Sequence, residues 1–472
     1  MPKINHDDGS HPGRPMPRGI LFAYGAPAVP LQVLLTPLLI FLPTFYATDL
    51  ELGLAAVGTL FLLARAWDAV TDPIIGALSD RTKSRLGRRK PWIIAGTPLL
   101  MIASYFVLVP SPDMTLPMAV FLIGIFYVFW TMIFIPYQSW GAEIQSGYED
   151  RTRAAGFREG GAVLGVLVGI GIPLLLIDPI AEPARNLVLP DGLGLDASLH
   201  SLHLVIFVTF IALLPIASAV SCFFVSDTMP KQLPRFSWKQ TATILVRNKP
   251  FQRLFAGYFV AQLGFLAFLS AVQMLITRAL EIEAFLFLIF LQNIVAVLAV
   301  PLWLRFANRF GKREAYCASL LIISVGFFAL ALIQPGDFAM ALAVFLFNGL
   351  GSSGKLILPA SIAADTVDYN TLKTGSSETG SHLALLNMAN KATFAISIGV
   401  TFLALSVTGF DPASSTNSET SINGLLIVGT LVPAFLVLSG MLIMWGYPLS
   451  KSRHSIIQKR LARRALRSQA DA

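Results

Sequence analysis

Charge is scarce in this chain. Only 13% of its 472 residues are Asp, Glu, Lys or Arg, against the ~25% usual in a soluble protein. That excludes the string of solvated domains that the length alone would permit. Cysteine is nearly absent. Cys222 and Cys317 fall in different apolar segments, which argues against a disulfide framework and leaves two packed thiols. The six histidines show no metal-ligand spacing, and His200 and His203 read as solvated or capping groups. No nucleophile elbow, glycine phosphate loop or paired His/Cys/Glu set occurs, so neither an enzyme nor a resident cofactor is expected. A soluble domain through which a pure sensor could signal is also missing. The first 20 residues are polar and no small-residue cleavage site follows the first span, so no removable signal peptide is expected.

What is abundant is apolar length. Hydrophobic residues make up 55% of the chain. They gather into twelve runs near the ~20 residues that cross a bilayer: 21–46, 54–78, 92–110, 115–140, 158–177, 202–225, 251–275, 284–306, 315–333, 338–364, 383–408 and 424–447. Each is too long and too uniformly apolar for a barrel strand, so an all-α membrane fold is expected. All but five of the 35 lysines and arginines fall on one side if the N-terminus is cytoplasmic. That asymmetry predicts cytoplasmic N- and C-termini in a plasma membrane, most simply a bacterial inner membrane. It accounts for the net charge of +8 without nucleic acid. The basic tail Lys459–Arg464 suits anionic lipid headgroups.

A polar, basic stretch at 226–250 divides the chain into a six-span half at 1–225 and another at 251–447, with a tail at 448–472. The halves look like distant copies. Basic turns follow the second span (Ser79–Lys90) and the eighth (Arg305–Arg313). Paired six-span halves place a solute site between them near the midplane. The 178–200 loop reads as a connector rather than a lid. Gly161, Gly165 and Gly169 recur every four residues, a spacing for close helix packing.

The second span carries the sharpest anomaly. Asp68 and Asp72 are four apart on one helical face, with Arg65 one turn away. Two bare carboxylates in hydrocarbon repel and are costly to bury. A proton, a cation or Arg65 must neutralise them, so the pair either holds an ion or locks helices through Arg65.

The run Arg65-x-Trp67-Asp68-x-x-Thr71-Asp72-Pro73, with Gly76, Arg81, Ser84-Arg85-x-Gly87-Arg88 and Lys90-Pro91-Trp92, resembles the glycoside–pentoside–hexuronide:cation symporters, the melibiose-carrier family. Ile362–Tyr369 and Ile135-Pro136-Tyr137 match as well. The resemblance implies a major facilitator fold of two pseudo-symmetric six-helix halves. It also implies a cation site at Asp68, Thr71, Asp72 and Thr131, with Na+ or H+ as the coupling ion. Thr71 stands where the family often has asparagine. The family's two sugar-holding acids are missing: the first span reads Gly25–Pro30, and Phe134 and Gln138 stand on the fourth. Arg158 and Lys391 are retained, and Lys355 follows a Gly/Ser stretch at 349–354 that could form a broken helix.

These substitutions move the expected solute from neutral sugar toward an anion. A uronide, sulfonated sugar or aromatic acid fits, and a lysophospholipid-like anion is the alternative. Candidate solute contacts are Lys391, Lys355, Arg158, Phe134, Gln138, Tyr24 and Trp130. Lys355 could instead snorkel or join an internal salt bridge, and the aromatics could simply pack. Arg65, Arg81, Arg88, Glu143, Asp365 and Asp368 are candidate gate residues, the acids pairing with Arg81, Arg88 or Arg158. A secondary transporter is expected, working as a monomer with a small solute, a coupling cation and membrane lipid as partners.

Overall fold

A computed structural model describes residues 16–143, 148–177, 198–227, 244–375, 379–414 and 416–470. The connector beyond Ile177 and most of the central basic stretch lie outside the described residues. The described chain is helical, with twelve stretches long and apolar enough to cross a membrane.

The first span is broken into α1 (Arg18–Gly25), α2 (Ala28–Ile40) and α3 (Leu42–Thr48). Pro27 offers no N–H and disfavours helix at Ala26, which explains the first break. Single helices follow: α4 (Leu54–Arg81), α5 (Lys90–Leu108), α6 (Leu116–Glu143), α7 (Tyr148–Ile177) and α8 (Leu199–Phe224). The second set opens with α9 (Lys249–Met274), α10 (Phe285–Phe310), α11 (Lys312–Leu330), α12 (Phe338–Thr374) and α13 (Thr379–Val407). Its last span is α14 (Glu419–Leu426) and α15 (Val432–Trp445), joined by a π turn. The amphipathic α16 (Lys451–Ala470) ends the described chain.

Local signals set the helix ends. Asn248 and Asp337 cap α9 and α12 by accepting from Phe251 N and Met340 N. Gly311, at φ +121°, makes the tight turn between α10 and α11.

Helices through α8 pack mainly on one another, as do those from α9 onward, and two main seams join the sets: α4 on α13 and α7 on α10. The glycine stripe of α7 lies on the first span. A Cβ at Gly161 would sit 2.6 Å from the Gly25 carbonyl oxygen, and one at Gly169 would sit 3.2 Å from Val33 Cα. Packing is therefore the role this structure gives the stripe.

The Gly/Ser stretch before Lys355 differs from expectation. α12 runs unbroken from Phe338 to Thr374. Gly349, Gly351 and Gly354 serve close approach instead, facing the Gln292 carbonyl, the Ser319 carbonyl and the Trp303 ring.

Candidate functional site

Mid-way along α4, Asp68 is 3% exposed. Thr131, on α6 and fully buried, places its hydroxyl 3.2 Å from both Asp68 Oδ1 and Asp72 Oδ1. Its single proton is shared between two carboxylates. Pro73 follows Asp72 and leaves the Ala69 carbonyl without its helical donor, one more oxygen on this turn. Thr71 turns away: its hydroxyl donates to the Asp68 carbonyl at 3.1 Å and meets neither carboxylate.

Two cations balance the two acids. Lys391, on α13 across the seam, pairs with Asp72 Oδ2 and lies 3.8 Å from Asp68 Oδ2. Its side chain is 36% exposed, so the cluster is reachable. Arg65 Nη1 sits 3.4 Å from Asp68 Oδ2. The Arg65 guanidinium is also sandwiched between the rings of Tyr127 at 4.6 Å and Phe394 at 3.6 Å. Desolvated cation–π contacts are worth about 2 kcal/mol each. Arg65 is thus a fixture of the mid-membrane cluster, removed from the basic end where a gate was expected. Hard monovalent cations favour a set of oxygens such as Asp68, Asp72 and Thr131 supply; here the Lys391 ammonium holds the Oδ2 atoms of both carboxylates and Thr131 the Oδ1 atoms.

The expected solute residues divide. Phe134 and Trp130 stack at 5.5 Å, Phe126 extends the stack at 6.4 Å, and Lys391 Nζ lies 5.9 Å from the Phe134 centroid. Half-buried Gln138 follows one turn on. Tyr24 is instead a packing residue: the Tyr137 hydroxyl donates to its carbonyl at 2.8 Å and the rings stand 5.1 Å apart. Arg158 pairs with its neighbour Glu159 at 2.7 Å. Lys355 lies apart from this cluster, over the Phe265 ring.

The gate expectation needs correction at the basic end. Glu143 does pair with Arg88, at 2.7 Å. The hub, however, is Arg89, a residue that sequence spacing did not single out. It reaches Glu143 Oε1 at 2.6 Å, Asp80 Oδ1 at 2.5 Å and Ser79 Oγ at 2.6 Å, while its backbone N–H donates to Asp227. Burial opposes the Arg89 charge, but the hydrogen bonds to Glu143 and Asp80 outweigh it and hold the guanidinium above its ordinary value. The usable signal was its place just before Lys90-Pro91, where the chain turns into α5. Asp365 and Asp368 do not reach Arg81, Arg88 or Arg158. Asp365 pairs with Lys312 at 2.5 Å, and His454 of α16 lies 2.9 Å from Asp368. Each acid is nearer to a cation of its own half than to one across the seam. Arg81 is exposed and unpaired among the described residues.

The two seams meet tightly at the end away from the basic loops. Phe41 packs edge-on against Phe285 at 5.6 Å, and a Cβ at Gly58 would lie 3.0 Å from the Gly399 carbonyl. The tight cross-set packing therefore lies at the end away from the basic loops.

Twelve spans in two joined sets, with an ion cluster at mid-depth on the seam, define a multi-pass membrane transporter. Solved structures agree on the fold. A D-xylose–proton symporter matches with a TM-score of 0.63 at 14% identity, over 92% of this chain and 97% of its own. A nucleoside transporter matches at 0.61 and 13%, over 91% and 100%. The family described as MFS/sugar transport protein matches residues 23–451, and the chain belongs to it. Among similar curated proteins, the sodium-dependent lysophosphatidylcholine symporter 1-A of Danio rerio is 25% identical over 94% of this chain and 87% of its own. The human symporter 1 is 24% identical over 91% and 82%. A glucuronide carrier protein homolog of Escherichia coli is 24% identical over 88% and 89%.

Proposed function

We propose that this transporter is a cation-coupled symporter of the melibiose-carrier type, taking up a small organic solute by alternating access. One observation carries the reading. Thr131 bridges the Oδ1 atoms of Asp68 and Asp72, and Lys391 from the other half holds their Oδ2 atoms. A coupling cation, Na+ or H+, competes with Lys391 for Asp72. When the cation arrives, Lys391 is released toward the Phe134 platform, where it can meet the solute. When the cation leaves, Lys391 returns and restores neutrality. Ion and solute are linked because one lysine answers to both.

The halves at 1–225 and 251–447 rock about the α4–α13 and α7–α10 seams. In the orientation set by the basic loops, the tight cross-set packing of this conformer lies on the outer side. Arg89 and its partners brace the cytoplasmic end of the first half.

The solute is a sugar derivative or glycoside. A second reading, an amphipathic lysophospholipid-like solute, is favoured by the relatives named as lysophosphatidylcholine symporters. Glucuronides and lysophosphatidylcholine share an anionic oxygen acid, so both readings call for a cation at the solute site. The test is uptake into proteoliposomes of a 4-nitrophenyl glycoside, a glucuronide and a lysophospholipid under imposed Na+ or H+ gradients. One of these should accumulate against its gradient in wild type and only equilibrate in Asp72→Asn. Equal accumulation by both proteins would rule out the coupling role.

A further inference from the structure

One cation at membrane depth has no counter-charge. Lys355 sits roughly 25 Å along α12 from its Phe338 end, within the tenth membrane span. The residue is 8% exposed, and its Nζ lies 3.5 Å from the Phe265 centroid on α9. Phe265 in turn stacks on Phe327 at 6.4 Å, which fixes the platform. Among the described residues no carboxylate pairs with Lys355. Arg65 and Lys391 differ in this respect, since Asp68 and Asp72 neutralise both.

The imbalance is energetic. An unpaired ammonium at the bilayer centre costs several kcal/mol, and one cation–π contact returns about 2. Location says where the missing charge comes from. Phe265 is one helical turn from Gln262, which donates to Asn390 at 2.8 Å. Asn390 is the chain neighbour of Lys391. Lys355 therefore stands near the depth of Lys391, within the second half. Both acids of the cluster are already taken.

We propose that Lys355 is the anion-binding residue of the solute site, its ammonium on the Phe265 face pairing with the carboxylate, sulfonate or phosphate of a bound organic anion. The proposal rests on the symport reading for the existence of a solute, and it adds the solute's charge. It also changes the meaning of Lys355 for stability. A lysine kept for packing or a salt bridge stabilises the empty protein. A lysine kept for an absent anion destabilises it.

The experiment uses the purified full chain in lipid nanodiscs and two probe pairs that differ in charge. These are 4-nitrophenyl β-glucuronide with 4-nitrophenyl β-glucoside, and lysophosphatidate with monoacylglycerol. Calorimetric titration should give at least a tenfold preference for the anion in one pair with wild type. Lys355→Met should reduce that preference below twofold and leave the empty protein's thermal midpoint equal or higher. Lys355→Arg should keep most of the preference, so misfolding of the Met variant alone cannot decide the matter. Asp72→Asn should lose cation dependence yet keep the anion preference, which separates this proposal from the symport reading. Absence of anion preference in wild type overturns the proposal. So does an unchanged preference in Lys355→Met, or a marked fall in its empty-state midpoint.

Discussion

Asp72 is held by the Lys391 ammonium, and in the proposed coupling a cation takes that ammonium's place. Removing the competitor should therefore strengthen cation binding. Lys391→Ala is expected to bind the coupling cation about tenfold more tightly, near the 1.4 kcal/mol that such a factor represents, while losing coupled uptake. Thr131→Val should act in the other direction. It deletes one oxygen and one hydrogen bond to the acids, so affinity should fall about tenfold with the fold intact. Both are read by cation titration of purified protein. Arg65 is held by one carboxylate and two ring faces. Arg65→Leu should destabilise the protein by about 3 kcal/mol by weakening the neutralisation of Asp68. Arg65→Lys should not restore it, because an ammonium cannot fill the planar slot between Tyr127 and Phe394. Sequence showed the two acids and their shared face. It could not show that Lys391, 319 residues from Asp72, closes the cluster, because pairing across halves leaves no periodic trace. It also could not tell that Arg88 and Arg89 both turn inward onto Glu143, with Arg89 alone reaching Asp80 and Ser79 as well.

At the scale of helices, the tightly packed end depends on bare backbone. Gly58 and Gly399 bring α4 and α13 together, and Leu62 already fills the space beside Gly399. Gly399→Val should wedge this seam at a cost of about 1–3 kcal/mol and shift the population toward opening at that end. A reporter cysteine at Phe41, buried against Phe285, should then label with a membrane-impermeant maleimide about tenfold faster than in the glycine parent. Unchanged labelling would mean that the α4–α13 contact does not govern closure. The spans themselves were legible, because runs of apolar residues near bilayer length have one stable outcome. The break in the first span and the continuity of α12 were less so. Proline at position 27 does interrupt its helix, whereas glycines in α12 stay helical because neighbouring spans pack into the space they leave.

Across the whole molecule, the internal charges sit at two depths. The basic end is braced within each half, by Arg89 with Glu143 and Asp80, and by Lys312 with Asp365. Mid-depth holds a neutral four-charge cluster on the seam and one uncompensated lysine. The far end is joined by packing alone among the described residues. In the proposed transport cycle the seam cluster stays neutral as the bundle opens at either end, and Lys355 is left for the solute.

The central claim is that Asp68 and Asp72 form a cation site that Lys391 vacates. Its most direct test needs no solute: titrate wild type, Asp72→Asn and Lys391→Ala with Na+ in a choline background and, separately, with protons, following heat. Saturable binding of one of the two ions is predicted in wild type, tighter binding in Lys391→Ala, and none in Asp72→Asn. Binding in Asp72→Asn that matches wild type would contradict the account.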